Sequence, residues 1–375
     1  MTKIVSVEAR TVRVPLPQVT SFARREVAAR DYTLIRVTDT NGVTGIGFCY
    51  AGNFGGEVAT HAARTLIAPI VVGHDSFRIK AVWENAYHTL LLHGRAGLVL
   101  RAMSAIDIAL WDLRARSCGC PLWQYLGAAT AGDSVTAYAS GGYYLPGKSP
   151  EDLGDEMRRY VEMGFRAVKM KIGRESPAHD AERIAAVRAA VGPDTLVMLD
   201  ANNAWTDFES AFRAARMFEP YDPYWLEEPF GPDDITNHAR LARRTSIPIA
   251  TGEIETGRWR HVELLSAGGA TILQTDAAVT GGITEFQRIA SIADGYGATI
   301  SPHWFHDLHI HLVASTPNAR FVEFFPDANV LNFRLLITRQ LEVAPDGQLV
   351  LPQEPGLGFD FDDNSVNSHA VDEWA

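Results

Sequence analysis

Lys169 and Lys171 stand two residues apart in an apolar stretch of a chain whose 34 basic residues include only five lysines. On an extended strand, positions i and i+2 point to the same side, so the two ammonium groups share one environment. Crowded together, partly desolvated and beside a cation, each would favour the neutral amine. That is how a lysine becomes a general base near neutral pH. Downstream come Asp200, Glu227 with Glu228, Glu253, Asp276, His303 and Glu323. Asp200, Glu227 and Glu253, if neighbours, would repel one another unless a cation joined them, and an all-oxygen set suits Mg²⁺. Asp276 beside His303 would orient the imidazole and raise its basicity. A divalent ion can bind two oxygens of a carboxylate or α-hydroxy acid. It then stabilises the charge that develops when an α-proton leaves and an enediolate forms. Lys171 and His303 would supply one base on each side.

The elements that must position these groups are legible as well. From residue 134 onward, β-rich runs alternate with helix-length segments: Ser134–Ser140, Arg166–Ile172, Leu196–Asp200, Tyr224–Glu228, Pro248–Glu253, Thr271–Asp276, Ala298–His303 and Arg320–Phe324. Eight such runs predict an α/β fold, a (β/α)₈-type (TIM-like) barrel whose active site lies at the carboxyl ends of the strands. Strands apolar on both faces, such as Leu196-Val-Met-Leu199, suit a parallel sheet under helices. Before the barrel, strand-like Val5–Val14 and Tyr32–Val37, the Asn41-Gly42 turn and Val43–Tyr50 precede three helical stretches. They predict an α+β capping domain. The expected boundaries are 1–127 for the cap, 128–327 for the barrel and 328–375 for a C-terminal segment that packs back on the cap.

Composition bounds the partners. The 375 residues carry 34 basic and 45 acidic side chains, a formal charge of −11, which argues against a nucleic-acid surface. No run approaches the ~18 apolar residues of a membrane span, and the alternating amino terminus lacks a signal-peptide block. Cys49, Cys118 and Cys120 form no disulfide framework, so the expected location is cytoplasmic. A homo-oligomer is expected. Gly45-Ile-Gly47 with Gly52 has the wrong spacing for a nucleotide loop and reads as hairpin glycine. Cys118-Gly-Cys120 lacks partners for zinc.

Taken in order, Val168-Lys-Met-Lys171, Asp200-Ala-Asn202, Leu226-Glu-Glu-Pro229, Gly252-Glu253, Asp276, Ser301-Pro-His303 and Glu323 resemble the mandelate racemase subgroup of the enolase superfamily. The resemblance covers the whole chain and includes Ile106-Asp-Ile-Ala-Leu-Trp-Asp112 ahead of the barrel. A Lys or His base paired with Mg²⁺ is the established pattern of that superfamily. The resemblance implies Mg²⁺ on Asp200, Glu227 and Glu253, with Lys171 and the His303–Asp276 dyad as acid/base catalysts. It further implies Lys169 on the substrate carboxylate, lowering the pKa of Lys171, and Glu323 hydrogen-bonded to the enediolate oxygen. Muconate-cycloisomerase relatives would carry a sixth-strand lysine, and none lies between His261 and Ile300. The implied activity is dehydration of an aldonate or aldarate to a 2-keto-3-deoxy acid by a hydro-lyase. The alternative is a racemase or epimerase of a 2-hydroxy acid with the same residues.

The substrate would be a small anionic hydroxy-carboxylate. Its contacts are expected from Asn202, from loops of the cap bearing Phe22, Arg24 and Arg25, from the Gly52–Gly55 loop, and from Tyr144 and Trp304. Two other classes compete: a Schiff-base aldolase, which needs no metal triad, and a metal-stabilised sugar-acid sensor, which moves no proton.

Overall fold

The computed structural model describes residues 2–375. Alternating polar and apolar residues make Ile4–Phe22, Arg25–Asp39 and Thr44–Gly52 a three-stranded antiparallel meander. Its inner face packs on the helix Gly97–Ser117. Gly45 and Gly47 are not merely turn residues, as the sequence suggested. A Cβ at either would collide with backbone of that helix at Ala109 or Ala105, so the sheet and helix touch only because side chains are absent. The segment after Pro17 also departs from expectation. It is a hairpin, with Thr20–Phe22 paired to Arg25–Val27, rather than a loop.

Eight parallel strands form the second layer: Ala137–Ser140, Ala167–Lys171, Leu196–Asp200, Trp225–Glu227, Ile249–Thr251, Ile272–Leu273, Thr299–Ile300 and Val322–Phe324. The last pairs with the first. Closure is completed by a bridge between Ile300 and Ala319, where the Ile300 N–H donates to Asn318 O and the Arg320 N–H to Ile300 O. Val168, Met170 and Ile172 pack outward under the helices, whereas Ala167 joins Tyr138, Met198, Trp225 and Ala250 in the barrel interior. The period of two therefore turns Lys169 and Lys171 inward as well.

Several strands are shorter than the sequence suggested. Glu253, Asp276 and His303 lie in loops just beyond their strands, because those residues cap turns or bond side chains instead of continuing the ladder. Asp276 is the N-cap of the helix Ala277–Thr280.

The two aspartates of the Ile106–Asp112 motif tie the cap to the barrel and to the C-terminal segment. Asp107 accepts from the N–H and the hydroxyl of Thr284. Asp112 accepts from Ile46 N–H, Leu357 N–H and Arg116. The C-terminal segment pairs Leu349–Val350 with Ser134–Val135 and hydrogen-bonds the first strand at Ala9 and Arg13. Among the described residues no helix is long and apolar enough to cross a membrane.

Candidate active site

Lys169, fully buried, donates to both carboxylate oxygens of Glu227 at 2.7 and 3.0 Å and pairs with Glu323 at 2.7 Å. Lys171 donates to Asp200 Oδ2 at 2.5 Å. Parallel register explains the second pair, since Lys171, Asp200 and Glu227 stand level across adjacent strands. Trp225 Nε1 also donates to Glu227, and Asn202 N–H to Asp200.

These pairs correct one expectation. Burial presses the Lys171 pKa down, but the Asp200 carboxylate carries it above the ordinary lysine value, so the amine is held charged. Burial likewise disfavours charge on Lys169, and Glu227 and Glu323 overcome it. Lys169 does depress Lys171, as the sequence implied, but by less than Asp200 raises it. Glu323 shares this network. Burial raises its pKa, yet Lys169 and His303 bring it down to about 2. Its Oε2 accepts the Trp304 N–H at 2.8 Å.

His303 Nδ1 lies 3.0 Å from Asp276 Oδ2, and its Nε2 lies 3.5 Å from Glu253 Oε1. Burial lowers the imidazole pKa, but Glu253 and Asp276 carry it up to about 9. Asp276 is fixed on its other oxygen by the Ala278 N–H. Of the histidines on the helix His306–Ala314, all buried, only His309 touches this arrangement, 3.5 Å from Asp276 and accepting from Ala277 N–H.

Lys171, Asn202, Glu253, His303, Trp304 and Glu323 line one cavity of about 350 Å³, roofed by Phe22 and Arg25 of the hairpin. A wider cleft of about 610 Å³ opens beside it over Tyr143, but none of the strand-end catalytic candidates lines it. Asn202, Glu228 and Trp304 are held at φ of 43°, 42° and 71°. Three non-glycine residues in the left-handed region at strand ends mark strain concentrated at a working site.

Two expected substrate contacts are not brought in. Arg24 is exposed at the hairpin tip. Tyr144 faces away, bonded to Asp180 and lying beneath the Arg183 guanidinium. Left-handed Gly142 redirects the chain after the first barrel strand, so Tyr143 enters the cavity instead, its ring 5.3 Å from Lys171 Nζ. The sequence reading also missed Arg30 and Tyr50. Period-two alternation places Arg30 on one strand face with Tyr32 and Leu34, both buried, and a cation in that register was the available signal.

The donors fit a divalent cation in chemistry. They are all oxygen, and Glu253 Oε2, Asn202 Oδ1 and Glu228 Oε2 are buried without partners. Burial and the charge of Asp200 push the Glu227 carboxyl up to about 8 even with Lys169 on both its oxygens, as expected of crowded buried acids. The geometry is not yet a chelate: among the described residues no group of acids and histidines is drawn together as a metal centre. The lysines take up Asp200 and Glu227 instead.

A closed parallel barrel with acid/base groups at its strand ends, roofed by an α+β cap, defines the class: a barrel enzyme of the enolase type. Comparison with known proteins agrees. The "Mandelate racemase / muconate lactonizing enzyme, N-terminal domain" family matches residues 3–127, and the "Enolase C-terminal domain-like" family matches residues 152–365. The chain is 32% identical over 360 residues to a 3,6-anhydro-alpha-L-galactonate cycloisomerase from Streptomyces coelicolor, covering 96% of this chain and 97% of that one. It is 35% identical over 330 residues to the L-talarate/galactarate dehydratase of Salmonella typhimurium, covering 87% and 79%. The crystal structure of L-talarate dehydratase from Polaromonas sp. JS666, complexed with Mg and L-glucarate, superposes with a TM-score of 0.89. The two are 32% identical and the match covers 100% and 99% of the chains. The chain belongs to the mandelate racemase subgroup of the enolase superfamily.

Proposed function

We propose that this chain is a Mg²⁺-dependent dehydratase of a sugar acid, an aldonate or aldarate. The observation that carries the reading is that Lys171 and the Asp276-bonded His303 line one cavity. Asp200, Glu227 and Glu253 would hold Mg²⁺, which supplies positive charge against the substrate carboxylate and against the charge that proton removal adds. With Asp200 turned to the cation, Lys171 would lose the carboxylate that holds it charged, and one of Lys171 and His303 takes the α-proton, leaving an enediolate. The β-carbon–oxygen bond then breaks, and His303 or Lys171 protonates the departing hydroxyl, which leaves as water. The resulting enol tautomerises to the 2-keto-3-deoxy acid. Lys169 meets the substrate carboxylate, and Glu323 keeps Lys169 and the Trp304 backbone in place.

The same two bases support 1,1-proton transfer, hence a racemase or epimerase. A racemase from Streptomyces coelicolor, solved with bound magnesium, superposes at a TM-score of 0.91 and 32% identity. Incubating the protein with Mg²⁺ and a sugar-acid library, and scoring 2-keto product against epimerised acid, separates the two. A 2-keto product carries the dehydratase reading; epimer without it carries the other.

A further inference from the structure

Arg30 is only 2% exposed, and the cap, not the barrel, supplies it to the cavity. Its Nε donates to Val330 O at 3.1 Å and its Nη1 to the Tyr50 hydroxyl at 3.3 Å, both neutral acceptors. Nη2 is buried with no partner. The guanidinium lies 4.3 Å from the centroid of the Trp304 ring, whose indole also stacks on His303 at 5.5 Å. Arg30 therefore sits one aromatic ring away from the acid/base dyad.

The lysines of the site already face carboxylates, Lys169 those of Glu227 and Glu323 and Lys171 that of Asp200, while Arg25, exposed on the hairpin, donates to Asn203. A buried cation whose partners are neutral oxygens and aromatic faces is costly until an anion reaches it. A guanidinium with a free N–H edge is shaped for a carboxylate. A sugar hydroxyl could satisfy the hydrogen bond but not the charge.

Resting on the proposed sugar-acid reading, we propose that Arg30 binds the distal carboxylate of the substrate, which makes the physiological substrate a dicarboxylic sugar acid rather than a monoacid. The first carboxylate goes to the barrel site and the second to the cap.

The test uses the Mg²⁺-loaded full chain with galactarate and the matched monoacid galactonate, in wild type, Arg30→Met and Arg30→Lys. Binding is read by calorimetry and turnover by kcat/KM. In wild type, galactarate should bind and react better than galactonate. Arg30→Met should lose about 100-fold on galactarate, as expected for removing one partner of a buried charge pair, and less than about threefold on galactonate. Arg30→Lys should recover part of the loss. Equal losses on both acids, or a wild type that prefers galactonate, overturns the assignment. The wild-type comparison decides even if the variants fail to fold. If neither acid nor any other sugar acid reacts, the dehydratase proposal fails separately, while selective loss of galactarate binding in Arg30→Met would still uphold Arg30.

Discussion

The Nδ1 of His303 stands 3.0 Å from Oδ2 of Asp276, although the two residues belong to different strand-end loops. Because Asp276 contributes to raising His303 to about 9, its removal should act on the imidazole rather than on the metal site. Asp276→Asn should lower turnover by about 100-fold and displace the His303 ionisation toward acid in the pH–rate profile. An unchanged profile would mean that Asp276 serves only as the cap of Ala277–Thr280.

Metal removal should abolish activity, and Mg²⁺ should restore it. At 100-fold excess over its dissociation constant, Mg²⁺ should stabilise the folded chain by about 2.7 kcal/mol, seen as a rise in Tm. Glu253→Gln should weaken that rise. Activity that survives exhaustive EDTA treatment, with borohydride trapping of substrate on Lys171, would instead select a Schiff-base enzyme.

His261 tests the pH dependence of stability. Its Nδ1 bonds to Gly257 O and its Nε2 to Thr275, a neutral pattern that burial enforces by pulling the pKa from 6.5 to about 4. Between those values the unfolded chain takes up a proton that the folded chain refuses, so this contribution is present above 6.5 and lost as pH falls toward 4. Asp107 and Asp307, each raised by burial to about 7, act in the opposite sense, because the folded chain holds their protons. The whole-protein curve is therefore flattened, and a variant isolates the histidine. His261→Gln should be less stable than wild type at neutral pH, and the gap should narrow by about 2 kcal/mol on going to about pH 5. Denaturant titrations at both pH values read this directly. A constant gap would show that His261 is not held neutral.

Much of the site was legible because it rests on two periodicities. Alternation turned Lys169 and Lys171 to one side, and the βα repeat put Asp200, Glu227, Glu253, Asp276, His303 and Glu323 at successive strand ends. The same reasoning failed where one residue changes the parity. Gly142 reverses the path so that Tyr143, not Tyr144, meets Lys171. Arg30 escaped notice because the strand was expected to begin at Tyr32, whereas pairing with Ile4–Phe22 extends it back to Arg25 and carries the same alternation through Arg30. The charge state of Lys171 depends on which carboxylate reaches it, a relationship between strands rather than a property of its own. Gly45 and Gly47 serve a helix distant in sequence.

The central claim is that Lys171 and His303 each make one proton transfer, one of them at the carbon next to a carboxylate. Incubation with Mg²⁺ and a reactive sugar acid in D₂O, followed by deuterium content at the α-carbon, measures it most directly. Wild type should incorporate deuterium or release 2-keto product, and Lys171→Ala and His303→Asn should each lose turnover by about 100-fold or more while still binding Mg²⁺. Undiminished turnover in either variant, or bound sugar acid that neither exchanges nor reacts in wild type, would contradict it.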